Sequence, residues 1–137
     1  HATALADIVG LASNFKQTKY RHGLIDLTFR GDSAHPITRG FEKTRFHDES
    51  YWSLVGDTSR FHTLATCEED GATHPLFWTL SPEGENQGRI FVSIPGHYSW
   101  TFDDPLFRVL LLRGIAWSAQ EPVDRFNNLI EAGIELR

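Results

Sequence analysis

Between residues 89 and 117 the chain declares two secondary-structure elements and the turn that joins them. Arg89-Ile90-Phe91-Val92-Ser93-Ile94 is a β-branched and aromatic run, and it reads as the strongest strand in the sequence. After it, Asp103-Asp104 followed by Pro105 gives an acidic cap with proline at the first helical position. Leu106, Val109, Leu110, Arg113, Gly114 and Trp117 then recur at spacings of three and four, with Phe107, Leu111, Leu112 and Ile115 widening the apolar surface. So broad a stripe predicts a helix packed on a sheet. The link is Pro95-Gly96-His97-Tyr98-Ser99-Trp100, where Gly96 permits a tight backbone course and His97 supplies an imidazole that titrates near neutrality. In α/β folds, ligands gather outside the carboxyl ends of strands, which makes this turn the first candidate for chemistry.

The rest of the chain yields weaker signals. Leu5, Ile8, Val9 and Ala12 fit a short helix within residues 2–13, and Leu24 to Arg30 alternates as a half-buried strand with Ile25, Leu27 and Phe29 on one face. Residues 31–40 read as loop around Asp32-Ser33 and His35-Pro36, and 84–88 as a further turn. Residues 61–67 and 75–80 are short β-type runs separated by the turn-rich Glu68-Glu69-Asp70-Gly71. No period settles the segment 46–54. A shorter helical stretch is expected after Glu121-Pro122, through Phe126, Leu129 and Ile130.

Composition restricts the functional classes. A chain of 137 residues with 40% apolar side chains can build one core but not two ordinary domains. A net charge of −5, spread without a Lys/Arg stripe, argues against nucleic acid as a partner. The longest aliphatic run, Val109 to Leu112, ends at Arg113, far short of the roughly eighteen residues that cross a bilayer. Cys67 is the single cysteine, so no internal disulfide or Cys-x-x-Cys site is possible, and the acidic turn after it opposes a thiolate. This excludes a cysteine nucleophile. The chain opens on His1 and contains no Met, which suggests a fragment or processed product; a cytoplasmic location is slightly favoured, with an upstream signal peptide left open.

Among the other histidines, His35 and His74 precede prolines, and a ring in such a turn commonly packs or bonds locally. His22, His47 and His62 have no companions at ligand spacing and read as surface or structural. There is no His-Glu-x-x-His motif, no GxSxG elbow and no phosphate-binding glycine loop. Glu49, beside Asp48 and ahead of Tyr51-Trp52, is either a solvated acid or a functional carboxylate.

Five fragments in series carry a resemblance: His35-Pro36-Ile37-Thr38-Arg39-Gly40, Asp48-Glu49-Ser50-Tyr51-Trp52, His74-Pro75-Leu76-Phe77-Trp78-Thr79, the stretch from Gly88 to His97, and the stretch from Phe102 to Trp117. Their order and spacing resemble the trehalose-utilisation, or ThuA-like, family within the class I glutamine amidotransferase-like superfamily. The resemblance implies an α/β flavodoxin-like three-layer sandwich with a mainly parallel sheet. The chain would be the C-terminal part of that domain, over residues 1–119, followed by a C-terminal extension over 120–137.

It also implies a site. His97 falls where amidotransferases carry their catalytic histidine, Glu49 matches the family's acidic motif, and His1 stands as the remnant of a His-containing segment after a central strand. These three are the expected catalytic residues and, with a divalent ion such as zinc, the expected metal ligands. His74, Trp78, Tyr98 and Trp100 are the expected sugar contacts. No cysteine occupies the elbow, so glutamine hydrolysis is not expected. The reading is a sugar-binding or sugar-processing domain with no metal signature in its residue spacing alone, and with a second copy of the chain as a further candidate partner. The alternative is a non-catalytic interaction or oligomerisation domain, with Trp52 and Trp100 as anchors.

Overall fold

The computed structural model describes residues 1–30, 35–81 and 88–130. Two helices, α1 (Ala2–Val9) and α2 (Pro105–Ser118), accompany seven strands: β1 (Leu11–Ala12), β2 (Lys19–Phe29), β3 (Lys43–Trp52), β4 (Val55–Gly56), β5 (His62–Glu69), β6 (Ala72–Leu80) and β7 (Ile90–Ser93). Five strands form one curled sheet in the order β3-β2-β5-β6-β7, and β1 pairs with β4 apart from it.

Every strand pairing among the described residues is antiparallel, which overturns the expected flavodoxin-like, mainly parallel sandwich. The physical reason lies in the connections. A parallel pair needs a crossover of a dozen or more residues, usually a helix, whereas an antiparallel pair closes through a short turn. Here Asp70 and Gly71, both at positive φ, join β5 to β6 directly, the Asp-Gly hairpin geometry that matches strand twist. Helices α1 and α2 lie before and after the run of sheet strands from β2 to β7, and among the described residues only the short 3-10 turns Pro36–Thr38 and Thr58–Arg60 stand between those strands.

The expected alternation in β2 holds. Ile25, Leu27 and Phe29 point into a core with Phe46, Leu64, Leu76, Phe77, Phe107 and Leu110, while the residues between them face outward. Helix α2 starts as its sequence predicts, the Asp104 carboxylate accepting from the Leu106 and Phe107 backbone N–H groups at 2.8 and 3.2 Å. It packs on β7, and the approach is close at Gly114, where a Cβ would stand 2.3 Å from the Phe91 ring. Helix α1 is shorter than expected. It stops at Gly10, at φ 96°, and the chain turns into β1. Of the loop expected at 31–40, residues 31–34 lie outside the described residues and 35–40 hold the 3-10 turn Pro36–Thr38. Residues 84–87 of the turn expected at 84–88 lie outside them as well, and the stretch expected to be helical after Pro122 forms turns over 123–126 and is helical over 127–130.

Cys67 sits in the core. Burial, with the Glu69 charge adding to it, pushes its thiol up to about 12. The native protein is therefore expected to resist iodoacetamide at pH 8 and to react once urea unfolds it. Equal alkylation rates in the two states would contradict this placement.

Candidate functional site

Strands β2 and β3 pair over ten positions, and their register builds the site. Tyr20 faces Tyr51, His22 faces Glu49 and Leu24 faces His47. Period-two alternation then sorts β3: Asp48 and Ser50 turn to the buried side, and Glu49 and Tyr51 to the opposite side. Strand β3 is also the edge of the sheet, and the segment after β7 runs along it. The His47 carbonyl accepts hydrogen bonds from the Trp100 indole at 2.9 Å and the Thr101 hydroxyl at 3.3 Å.

Asp48, fully buried, holds the turn in place. Its Oδ2 accepts from the Gly96 N–H at 3.1 Å and from the Thr101 hydroxyl, and its Oδ1 accepts from the N–H groups of His97 at 3.0 Å and Glu49 at 2.6 Å. Gly96 adopts φ 133°, a conformation L side chains rarely take, and this aims two successive N–H groups at one carboxylate. The His97 ring is thereby set over the opposite side of β3.

There it meets Glu49. The carboxylate is only 4% exposed, yet it touches two half-exposed imidazoles: His97 Nδ1 lies 3.0 Å from Oε2 and His22 Nε2 lies 3.2 Å from Oε1. The Tyr51 hydroxyl donates to Oε2, and the Tyr98 hydroxyl meets His22 Nδ1. Burial first, then the hydrogen bond to Glu49 and its charge, pushes the Tyr51 hydroxyl up to about 12, so it remains a donor at neutral pH. One ligand atom from each of His22, Glu49 and His97 lies within 4.8 Å of the other two. Beside them Tyr98 and Trp100 stack face to face at 4.1 Å, and Trp100 keeps half its surface in solvent.

The structure thus brings together Glu49, His97, Tyr98 and Trp100 of the expected residues. It does not bring in His1, which is exposed at the start of α1 and is not part of this group. Trp78 is fully buried: its indole donates to the Val9 carbonyl at 2.6 Å and its ring packs on Phe61, leaving no face for a ligand. His74 bonds the Glu69 carbonyl at 3.2 Å and lines a cavity of about 120 Å³ with Tyr51, Trp52 and Leu54, so it reaches the cluster only by way of Tyr51. Trp52 is buried, its indole on Asp70, and cannot serve as an exposed anchor. A larger cavity, about 490 Å³, is lined by Arg21, Asp26, Thr28, Thr66 and Glu68, without imidazole or aromatic rings.

Sequence reasoning missed His22, and with it the positioning roles of Asp48 and Tyr51. His22 has no partner along the chain because its partners lie across the sheet. Only the pairing of 19–28 with 43–52 would have revealed it. Elsewhere His35 stacks on His62 at 5.5 Å, and burial, then His62 and Arg89, hold its imidazole below the usual histidine range.

The edge strand of an antiparallel sheet thus presents a buried glutamate between two half-exposed histidines, with aromatic rings beside them. The family model described as trehalose utilisation, ThuA, matches residues 5–118. The chain therefore belongs to the trehalose-utilisation family, a placement consistent with the amidotransferase-like superfamily. A search of curated proteins gave no match. No helix among the described residues is long and apolar enough to cross a membrane.

Proposed function

We propose that the cleft around His97 binds a sugar of the disaccharide class and handles one of its hydroxyl or carbonyl oxygens. The observation that carries this reading is the buried Glu49 carboxylate held between two half-exposed imidazoles beside the stacked Tyr98–Trp100 pair. A pyranose offers apolar C–H faces to an aromatic wall and hydroxyls to polar groups, and the site supplies both kinds of partner. Family membership in trehalose utilisation supports the same class of ligand.

The roles follow from the geometry. Glu49 engages His97 through Nδ1 and so orients the ring with Nε2 as the remaining nitrogen for the ligand. A neutral imidazole held in this way accepts a proton at Nε2 and returns it, while the carboxylate steadies the imidazolium. Glu49 is then a positioning residue and His97 the group that touches the sugar. The 120 Å³ cavity near His74 is too small for a disaccharide, so the ligand would lie on the exposed side of the cluster, against the half-exposed Trp100 ring.

Calorimetry of the intact protein with trehalose and with oxidised trehalose derivatives tests this. Binding by the wild type should fall about tenfold or more in His97→Ala and in Trp100→Ala, the loss of roughly 1.4 kcal/mol or more. Unchanged affinity in His97→Ala removes the assigned role. A second reading, self-association through this face, is favoured by exposed Trp100, Phe102 and Leu106. Sedimentation separates it: a tight oligomer without any sugar response would support association over ligand binding.

A further inference from the structure

We propose that His22, Glu49 and His97 form a divalent-cation site, with zinc as the best-matched ion, and that His22 rather than His1 is its second imidazole ligand. This concerns the same cleft as the sugar reading, but it stands on the geometry of the three side chains alone. It is tested with the metal by itself, so either proposal can fail without the other.

Three observations converge. First, the donor set is two imidazoles and one carboxylate, a combination that binds zinc and other first-row ions while leaving a coordination position open. Second, the spacing suits a shared centre. One ligand atom from each residue lies within 4.8 Å of the other two, with His22 Nε2 3.2 Å from Oε1 and His97 Nδ1 3.0 Å from Oε2; donors about 2.0–2.1 Å from a tetrahedral zinc stand roughly 3.3 Å apart, so the rings close inward on the ion by small side-chain rotations. Third, the surroundings hold the donors as metal sites do. The Glu49 carboxylate is more than nine-tenths buried and aimed between the two rings, and the Tyr98 hydroxyl engages the far nitrogen of His22. A hydrogen bond on the second ring nitrogen fixes the tautomer and the ring plane of a metal-bound histidine. Asp48 holds the His97 main chain, not its ring, by accepting from the His97 backbone N–H at 3.0 Å.

The proton balance is closed within the site. In the metal-free cluster each neutral ring places its N–H toward Glu49, from His22 Nε2 and from His97 Nδ1. When the cation takes the place of those two hydrogens, each ring carries its proton on the other nitrogen: His22 Nδ1–H donates to the Tyr98 oxygen, and His97 Nε2–H turns outward. The half-exposed side of the cluster is where the open position would receive a water or a ligand oxygen.

The experiment uses the full chain without a polyhistidine tag, stripped with a chelator and titrated with Zn²⁺ by calorimetry and with Co²⁺ by visible spectroscopy. The expected result is a single saturable ion per chain. His22→Ala and His97→Ala should each weaken it by roughly 100-fold or more, and Tyr98→Phe by about tenfold. Both histidines are half exposed, so these variants should keep the wild-type far-ultraviolet circular dichroism. His62→Ala, remote from the cluster on β5, should bind as wild type. The proposal is overturned by no saturable binding in the wild type, by wild-type affinity in His22→Ala or His97→Ala, or by an equal loss in His1→Ala.

Discussion

Asp48→Ala should lower the unfolding free energy by about 3–5 kcal/mol, a large part of the 5–15 kcal/mol typical of a domain. The carboxylate accepts from three backbone N–H groups and a threonine hydroxyl, all in a region closed to water. Hydrogen bonds to a charged group contribute about 1.5–3 kcal/mol each, and removing their acceptor leaves the donors buried without partners. The contributions do not add, because the turn can relax once it is released. Asp48→Asn is the informative companion. Its oxygen can keep the Glu49 and His97 contacts, but its amide then faces the Gly96 N–H, donor against donor, so an intermediate loss is expected. Urea unfolding measures both. A change within about 0.5 kcal/mol for Asp48→Ala, the range of ordinary surface substitutions, would mean that Asp48 does not anchor the turn.

Trp78→Ala should cost about 3–5 kcal/mol for a different reason, the void left by a large ring. Trp78 is fully enclosed with Leu11 and Leu80 and against Phe61, and its indole ties down the last turn of α1 through Val9. Deleting it should loosen α1 and β1 while leaving the His22–Glu49–His97 cluster intact. The paired measurement is ligand affinity at a temperature where the variant remains folded. Near-wild-type stability with abolished sugar binding would restore Trp78 to the ligand-contacting role that its sequence context suggested.

Helix α2 was legible because its signals are local. An acidic cap, a proline at the first position and a three-four apolar spacing lie within one short stretch, and the structure places Phe107, Leu110 and Gly114 inward accordingly. The alternation of Ile25, Leu27 and Phe29 was legible for the same reason. Strand direction was not. Periodicity says which face a residue takes but not which way its neighbour runs, and the family resemblance pointed to a parallel sheet. The clues against it were present in the half-buried alternation of β2 and in Asp70-Gly71 between two β runs. Trp78 was misread because the end of β6 is buried on both faces, so alternation there cannot distinguish an inward ring from an outward one. Glu49 and His97 were accessible through motif and turn. His22 was not, since its relation to them exists only in the register between two strands.

The peptide that carries His97 also lies along the outer border of β3, where Trp100 and Thr101 occupy the His47 carbonyl. An unguarded strand border invites pairing with another chain. Any variant that frees this peptide therefore exposes a template for intermolecular β-pairing at the same moment that it disorders the cleft. Clumping in concentrated solution and loss of ligand affinity should then appear together, as two symptoms of one released tether.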